Sequence, residues 1–113
     1  ALTTDSSFIT AWSNDTDYAS IFSRQIEGLG KQGDILIAIS TSGNSANVLN
    51  AIHSAINKKM KVIILTGETG GKMKELGDVR ICIPSNNTQR IQEGHLLVEH
   101  MLCELIEEFV LKS

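Results

Sequence analysis

From Ile35 to Ile39 every residue is apolar, and the run stops at Ser40-Thr41-Ser42-Gly43-Asn44-Ser45, six small or polar residues of which four carry hydroxyls. Apolar residues then return at steps of three and four, at Val48, Leu49, Ile52, Ala55 and Ile56. A short Ile-rich run without alternation predicts a strand buried on both faces, and the spacing after it predicts an amphipathic helix to about Lys58. Strand, polar turn and helix make the first half of a βαβ unit. There the helix N-terminus aims unpaired N–H groups and a partial positive charge at whatever sits above the strand end.

The same patterns order the rest of the chain. Val62–Leu65 predicts a second buried strand, ending at the glycine-rich Thr66-Gly67-Glu68-Thr69-Gly70-Gly71, with a helical turn or two from Lys72 to Leu76. Val79, Ile81 and Ile83 alternate with Arg80 and Cys82, the period of a half-exposed edge strand closed by Pro84. A long helix follows from about Thr88 to Val110, capped by Asn86, Asn87 or Thr88. Upstream, residues 6–12 predict a short helix capped by Asp5 or Ser6. A helix over Tyr18–Leu29 is expected next, capped by Asp15 or Thr16 and ended by Gly30. Ala1–Asp5 reads as the end of a strand, so the fold is expected to begin upstream of residue 1. The element order predicts a parallel, layered α/β sheet with right-handed crossovers. Ligands in such sheets sit beyond the C-terminal strand ends, where the 40–45 and 66–71 loops fall.

Composition narrows the classes of function. A chain of 113 residues, 42% hydrophobic and 20% charged, is one small domain or part of a larger one. A net charge of −3 disfavours broad electrostatic binding to nucleic acid or an anionic membrane. The densest basic cluster, Lys58-Lys59 with Lys61, reads as a solvated turn. No apolar run approaches the roughly 20 residues that span a bilayer, and no signal-peptide pattern stands at the N-terminus. Cys82 and Cys103 lie inside apolar patterns, which predicts buried free thiols of a reducing cytoplasm.

The Ser40–Ser45 turn is the strongest chemical candidate. Helix capping explains such a turn in part, but consecutive hydroxyls at the ligand-binding edge also suit a phosphomonoester, which needs many short donors from one side. Phosphate binding is therefore placed ahead of simple capping. No GxxxxGK[ST] is present, so the turn is not a nucleotide P-loop, and glycines at 67, 70 and 71 do not form a dinucleotide GxGxxG frame. The 66–71 loop reads as a tight turn bringing backbone near its neighbour. On the C-terminal helix, Ile91, His95, Val98, Leu102, Leu105 and Phe109 trace an apolar stripe, with His95 a packing residue whose polar atoms are satisfied. Glu93 and Glu99 read as surface charges. His100 is the better candidate for acid–base or metal chemistry. Gln92 lies eight residues before it, about 12 Å of helix rise, so a shared metal needs converging side chains and further ligands. A helix-capping loop alone explains Asn14-Asp15.

Three segments, Ser40-Thr-Ser-Gly-Asn-Ser-Ala-Asn-Val48, Leu65-Thr-Gly-Glu-Thr-Gly-Gly-Lys-Met73 and Arg90-Ile-Gln-Glu-Gly-His95, closely resemble bacterial phosphoheptose isomerases of the sugar isomerase (SIS) domain proteins. The resemblance covers essentially the whole chain, and the segments are specific as a set. It implies a three-layer, parallel-sheet SIS domain, Rossmann-like or flavodoxin-like, in a cytoplasmic homotetramer. It also implies conversion of sedoheptulose 7-phosphate to D-glycero-D-manno-heptose 7-phosphate for lipopolysaccharide precursors. Carried over by motif, Ser40, Thr41, Ser42 and Ser45 hold the sugar phosphate. Asn14 and Asp15 match a substrate contact. Gln92 and His100 match zinc ligands, Gln92 also touching substrate and His100 also serving as acid–base group.

One departure is large. The family's N-terminal helices are absent, with a Gly-Asn-Gly-Gly-Ser loop and a helix whose His and Glu complete the zinc site and supply the base. The chain is expected to be the C-terminal part of the enzyme, a single partial SIS domain inactive alone. Two alternatives belong to other classes. One is a non-catalytic SIS protein of the DiaA type that binds the replication initiator; such proteins are not expected to keep His100. The other is a sugar-phosphate-sensing module without turnover.

Overall fold

The computed structural model describes residues 1–113. Its centre is a parallel sheet of three strands, β1 (Ile35–Ile39), β2 (Lys61–Thr66) and β3 (Val79–Cys82), in the order β1-β2-β3. Around it run α1 (Ser6–Asp15), α2 (Ile21–Leu29), α3 (Ala46–Asn57), a 3₁₀ helix (Gly71–Glu75) and α4 (Thr88–Leu111). The register sets Ile35 beside Lys61 and Ile39 beside Leu65, then Ile63 beside Val79 and Leu65 beside Ile81.

The two faces of the sheet follow from the period of two along each strand. Leu36 and Ala38 of β1 and Val62 and Ile64 of β2 point toward α2 and α3. There Ile26, Ala51, Ile52, Ala55 and Met73 close a single buried core. Each fully buried Val, Ile or Met side chain in it contributes about 1.5–3 kcal/mol. The opposite face carries Leu65 and Ile83, and α4 lies against it at its first two turns, through Ile91, Gly94 and His95. Helix, sheet and helix make the expected three layers.

β2 is the central strand and meets the expectation of burial on both faces: Val62, Ile64, Leu65 and Thr66 are all fully buried. β1 does not. Ile35, Ile37 and Ile39 are 60%, 41% and 42% exposed. They alternate onto the same face as Leu65, at the β1 edge, where α4 does not extend to cover them, and β1 is an edge strand with no neighbour on its outer side. An apolar groove of about 650 Å³, walled by Leu2, Phe22, Ile26, Val48 and Met60, runs along that edge.

Helix boundaries differ in two places. α1 runs on to Asp15, three residues past its expected end, with Asp5 Oδ1 accepting the Phe8 N–H at 2.9 Å as its cap. α2 then starts only at Ile21, leaving Tyr18 outside it. Neither Asp15 nor Thr16 caps it; Asp17 Oδ1 instead accepts the Ser20 N–H at 2.6 Å, closing the turn before the helix. The cysteines are free but exposed rather than buried. Cys82 ends the edge strand β3, where its Sγ accepts from Thr66 Oγ1 at 3.3 Å, and Cys103 falls on the part of α4 that extends past the sheet. That extension leaves Leu105 and Phe109 63% and 75% exposed, so the predicted apolar stripe is buried only at its root. No helix is long and apolar enough to cross a membrane.

Candidate functional site

The chain leaves β1 through Ser40, whose N–H still bonds the Leu65 carbonyl at 3.0 Å. Its hydroxyl is buried and organises the turn. Ser40 Oγ lies 2.9 Å from Ser45 Oγ and 3.4 Å from Ser42 Oγ, and accepts the Gly43 N–H at 3.2 Å. Ser42 Oγ accepts the Asn44 N–H at 3.1 Å. Gly43 has φ 67°, a left-handed conformation that favours glycine. A Cβ there would overlap the Gly70 carbonyl.

The glycine-rich loop holds this turn from the other side, as its sequence predicts. Met73 N–H bonds the Gly43 carbonyl at 3.1 Å, Lys72 N–H bonds Asn44 Oδ1 at 2.9 Å, and Gly67 N–H bonds the Thr41 carbonyl at 3.1 Å. Ser45 occupies the N-cap position of α3 without making a side-chain cap bond. Its hydroxyl faces Ser40 instead; the Val48 N–H is taken by Asn47 Oδ1 at 2.9 Å, and the N–H groups of Ala46 and Asn47 stay available to an anion.

Beyond the three strand ends lies a polar hollow of about 310 Å³, lined by Thr41, Ser42 and Asn44 from the turn, Glu68 and Thr69 from the second loop, and Ser85, Asn86 and Thr88 before α4. The structure thus brings Thr41 and Ser42 to the hollow and sets Ser40 and Ser45 behind them as its support. Glu68, Thr69, Ser85 and Asn86 are wall residues that sequence reasoning missed. The signal was the position of their loops after β2 and β3, on the same edge as the turn. The polar run 85–88 also has a cap function, since Asn87 Oδ1 accepts the Gln89 and Arg90 N–H groups at 3.1 and 3.3 Å.

The remaining expected site residues stand apart from the hollow. Asn14 and Asp15 end α1, exposed, with Asn14 Nδ2 donating to Asp15 Oδ1 at 2.8 Å. Gln92 and His100 are exposed on α4 and separated by about 12 Å of helix rise. No three His, Cys, Asp or Glu side chains gather where they could hold a metal ion. Two donors at that separation do not fit zinc by themselves, which in proteins takes three or four. Glu93 is a surface charge paired with Arg90 at 2.8 Å. His95 is buried, with Nε2 3.0 Å from the Thr66 carbonyl, satisfied as expected.

Against known proteins, the SIS domain family matches residues 1–67, more than half of the chain. The chain belongs to the SIS domain family. Among its relatives, the phosphoheptose isomerase of Sulfurimonas denitrificans is 51% identical over 108 residues, covering 96% of this chain and 55% of that protein. The phosphoheptose isomerase of Aliarcobacter butzleri is 54% identical over 107 residues, 95% of this chain and 57% of the relative. The SIS fold itself overlays on the phosphoheptose isomerase structure from Neisseria gonorrhoeae with a TM-score of 0.91 at 48% identity, over 96% of this chain and 60% of that one. The Francisella tularensis phosphoheptose isomerase gives 0.92 at 42% identity, over 96% and 58%. This SIS chain therefore spans a little over half the length of the relatives it matches.

Proposed function

We propose that the protein to which this SIS chain belongs is a phosphoheptose isomerase, converting sedoheptulose 7-phosphate to D-glycero-D-manno-heptose 7-phosphate in the cytoplasm, on the route to lipopolysaccharide precursors. The observation that carries this reading is identity of 51–54% to phosphoheptose isomerases across 95–96% of the chain. The Ser40–Ser45 turn supports it, because its hydroxyls and the open N-terminus of α3 suit the terminal phosphate of a ketose. That phosphate lies remote from the reacting carbons and supplies binding energy that positions them. Isomerisation takes a proton from the carbon beside the carbonyl and returns one to its neighbour. His100, an exposed imidazole, is the group of this chain assigned to proton transfer. Asn14, Asp15 and Gln92 are assigned to the sugar.

Gln92 and His100 are also proposed as two ligands of a zinc ion whose other ligands lie outside these residues. Zinc, when bound, supplies polarisation of the substrate carbonyl. A homotetramer is proposed as the assembled form, supported by Leu97, Met101, Leu105 and Phe109, an exposed apolar face on α4 at helical spacing. The deciding experiment is an isomerase assay on the complete protein, with its mass in solution measured by light scattering. His100→Ala is expected to lower kcat at least about 100-fold, and Ser42→Ala to raise KM about tenfold with kcat nearly kept. A complete protein that binds sugar phosphate but does not isomerise it would refute the enzyme and favour a sensing module.

A further inference from the structure

We propose that His95 is a positioning residue, the pin that sets α4, and through it Gln92 and His100, against the sheet. The inference rests on the proposed roles of those two residues. α4 is 24 residues long, yet Ile91 and His95 are the only residues of it that are buried. Its cap bonds come from the adjoining Asn87, and its ion pairs, Arg90–Glu93 and Lys112–Glu108, lie within the segment itself. The His95–Thr66 contact, 3.0 Å, is the single hydrogen bond joining the helix to the sheet.

A carbonyl oxygen only accepts, so Nε2 of His95 carries the proton. The same carbonyl accepts the Ile83 N–H at 2.9 Å, which ties the helix to the point where β2 hands over to the chain leaving β3. One turn-face away, Ile83 Cδ1 stands 2.8 Å from where a Cβ on Gly94 would be, so the helix backbone rides directly on that side chain. Apolar contacts at Ile91 and Gly94 resist separation but set rotation only loosely. A directional bond from a buried imidazole fixes it. Gln92 is three residues before this pin and His100 five after, so a turn of α4 about its axis redirects both together.

The test uses the complete protein with His95→Leu, which keeps bulk and removes the donor, and His95→Gln, whose amide N–H restores one at similar reach. His95→Leu is expected to lower kcat about tenfold or more with a smaller rise in KM for the sugar phosphate, because Gln92 moves with α4 while the phosphate turn belongs to β1 and α3; His95→Gln should recover to within about threefold of wild type. Amide hydrogen exchange over residues 88–102 should rise in His95→Leu and return in His95→Gln. Long-range ¹H–¹⁵N spectra of the wild-type imidazole should show the proton on Nε2. A kcat unchanged in His95→Leu, or a proton on Nδ1, overturns the proposal. Should His95→Leu fail to fold, the glutamine variant and the imidazole spectrum still decide it. A wild-type protein without isomerase activity would sink the enzyme reading alone, and exchange and tautomer would then report on the pin.

Discussion

Gly43 shows how one residue carries a site's geometry without touching a ligand. Its positive φ turns the chain between Ser42 and Asn44, and its missing side chain lets the Gly70 backbone approach. Gly43→Ala is expected to destabilise by about 2–4 kcal/mol, from left-handed strain plus a backbone collision, measured by urea unfolding. At the far end of the sheet, Asp78 joins β2 to β3. Its Oδ1 accepts from Lys61 Nζ at 2.9 Å and its Oδ2 from the Val62 N–H at 2.9 Å. The Lys61 hydrogen bond, and then the Val62 N–H, hold the carboxyl below its ordinary value of 3.8, while the Asp78 hydrogen bond and charge raise Lys61 above 10.5. A depressed acid contributes stability above its unfolded pKa and loses it as pH falls through the folded one. A raised lysine contributes below its unfolded pKa and loses it as pH rises through the folded one. The pair therefore contributes across the interval between 3.8 and 10.5 and fades beyond each end. Thermal melts should show Asp78→Asn flattening the acid limb of Tm against pH; a limb of unchanged slope would assign it to other carboxylates.

At the scale of elements, β1 and β2 have similar sequences and different fates. Ile64 is 1% exposed within the core between sheet and helices, whereas Ile37 is 41% exposed at the edge of the opposite face, beyond the reach of α4. In this chain Ile64→Ala should cost about 2–5 kcal/mol and Ile37→Ala under about 1, a contrast read directly by chemical denaturation. Equal losses would mean that β1's second face is covered in solution. The contrast also marks what the sequence can express. Local periodicity is a property of a few neighbouring residues, so all three strands, the long helix and the strand-end position of Ser40–Ser45 were legible from it. Burial of β1 depends on what lies beside it, and no pattern within Ile35–Ile39 states that an edge stands open. The cysteines failed for the same reason, since apolar neighbours placed Cys103 in a stripe that outruns the sheet it was meant to cover. The places of Glu68 and Asn86 in the hollow's wall escaped notice because a hollow is made by loops distant in sequence, and each loop alone reads as a turn or a cap.

For the whole molecule, the distribution of chemistry is uneven. One end of the proposed site is finished: Ser40, Ser42 and Ser45 are cross-bonded, and the turn is held by the 67–73 segment through three backbone-donated bonds. The other end is not, because Gln92 and His100, the two proposed ligands, are exposed on α4 and no three His, Cys, Asp or Glu side chains gather where they could hold a metal ion. Isomerisation needs a group to remove a proton and stabilisation of the enediolate that results, and a single solvated imidazole provides little of either. Phosphate binding needs only the turn. The two functions should therefore separate in a polypeptide of these 113 residues. Titration with sedoheptulose 7-phosphate should shift the amide resonances of residues 40–48 with millimolar affinity, roughly 4 kcal/mol of binding free energy. Added zinc should leave His100 unperturbed at equimolar concentration. Turnover should not be detectable, and Ser42→Ala should abolish the shifts. Measurable isomerisation by a polypeptide of verified mass would mean that the acid–base machinery lies within Ala1–Ser113 after all, with Glu68 at the hollow the first residue to test.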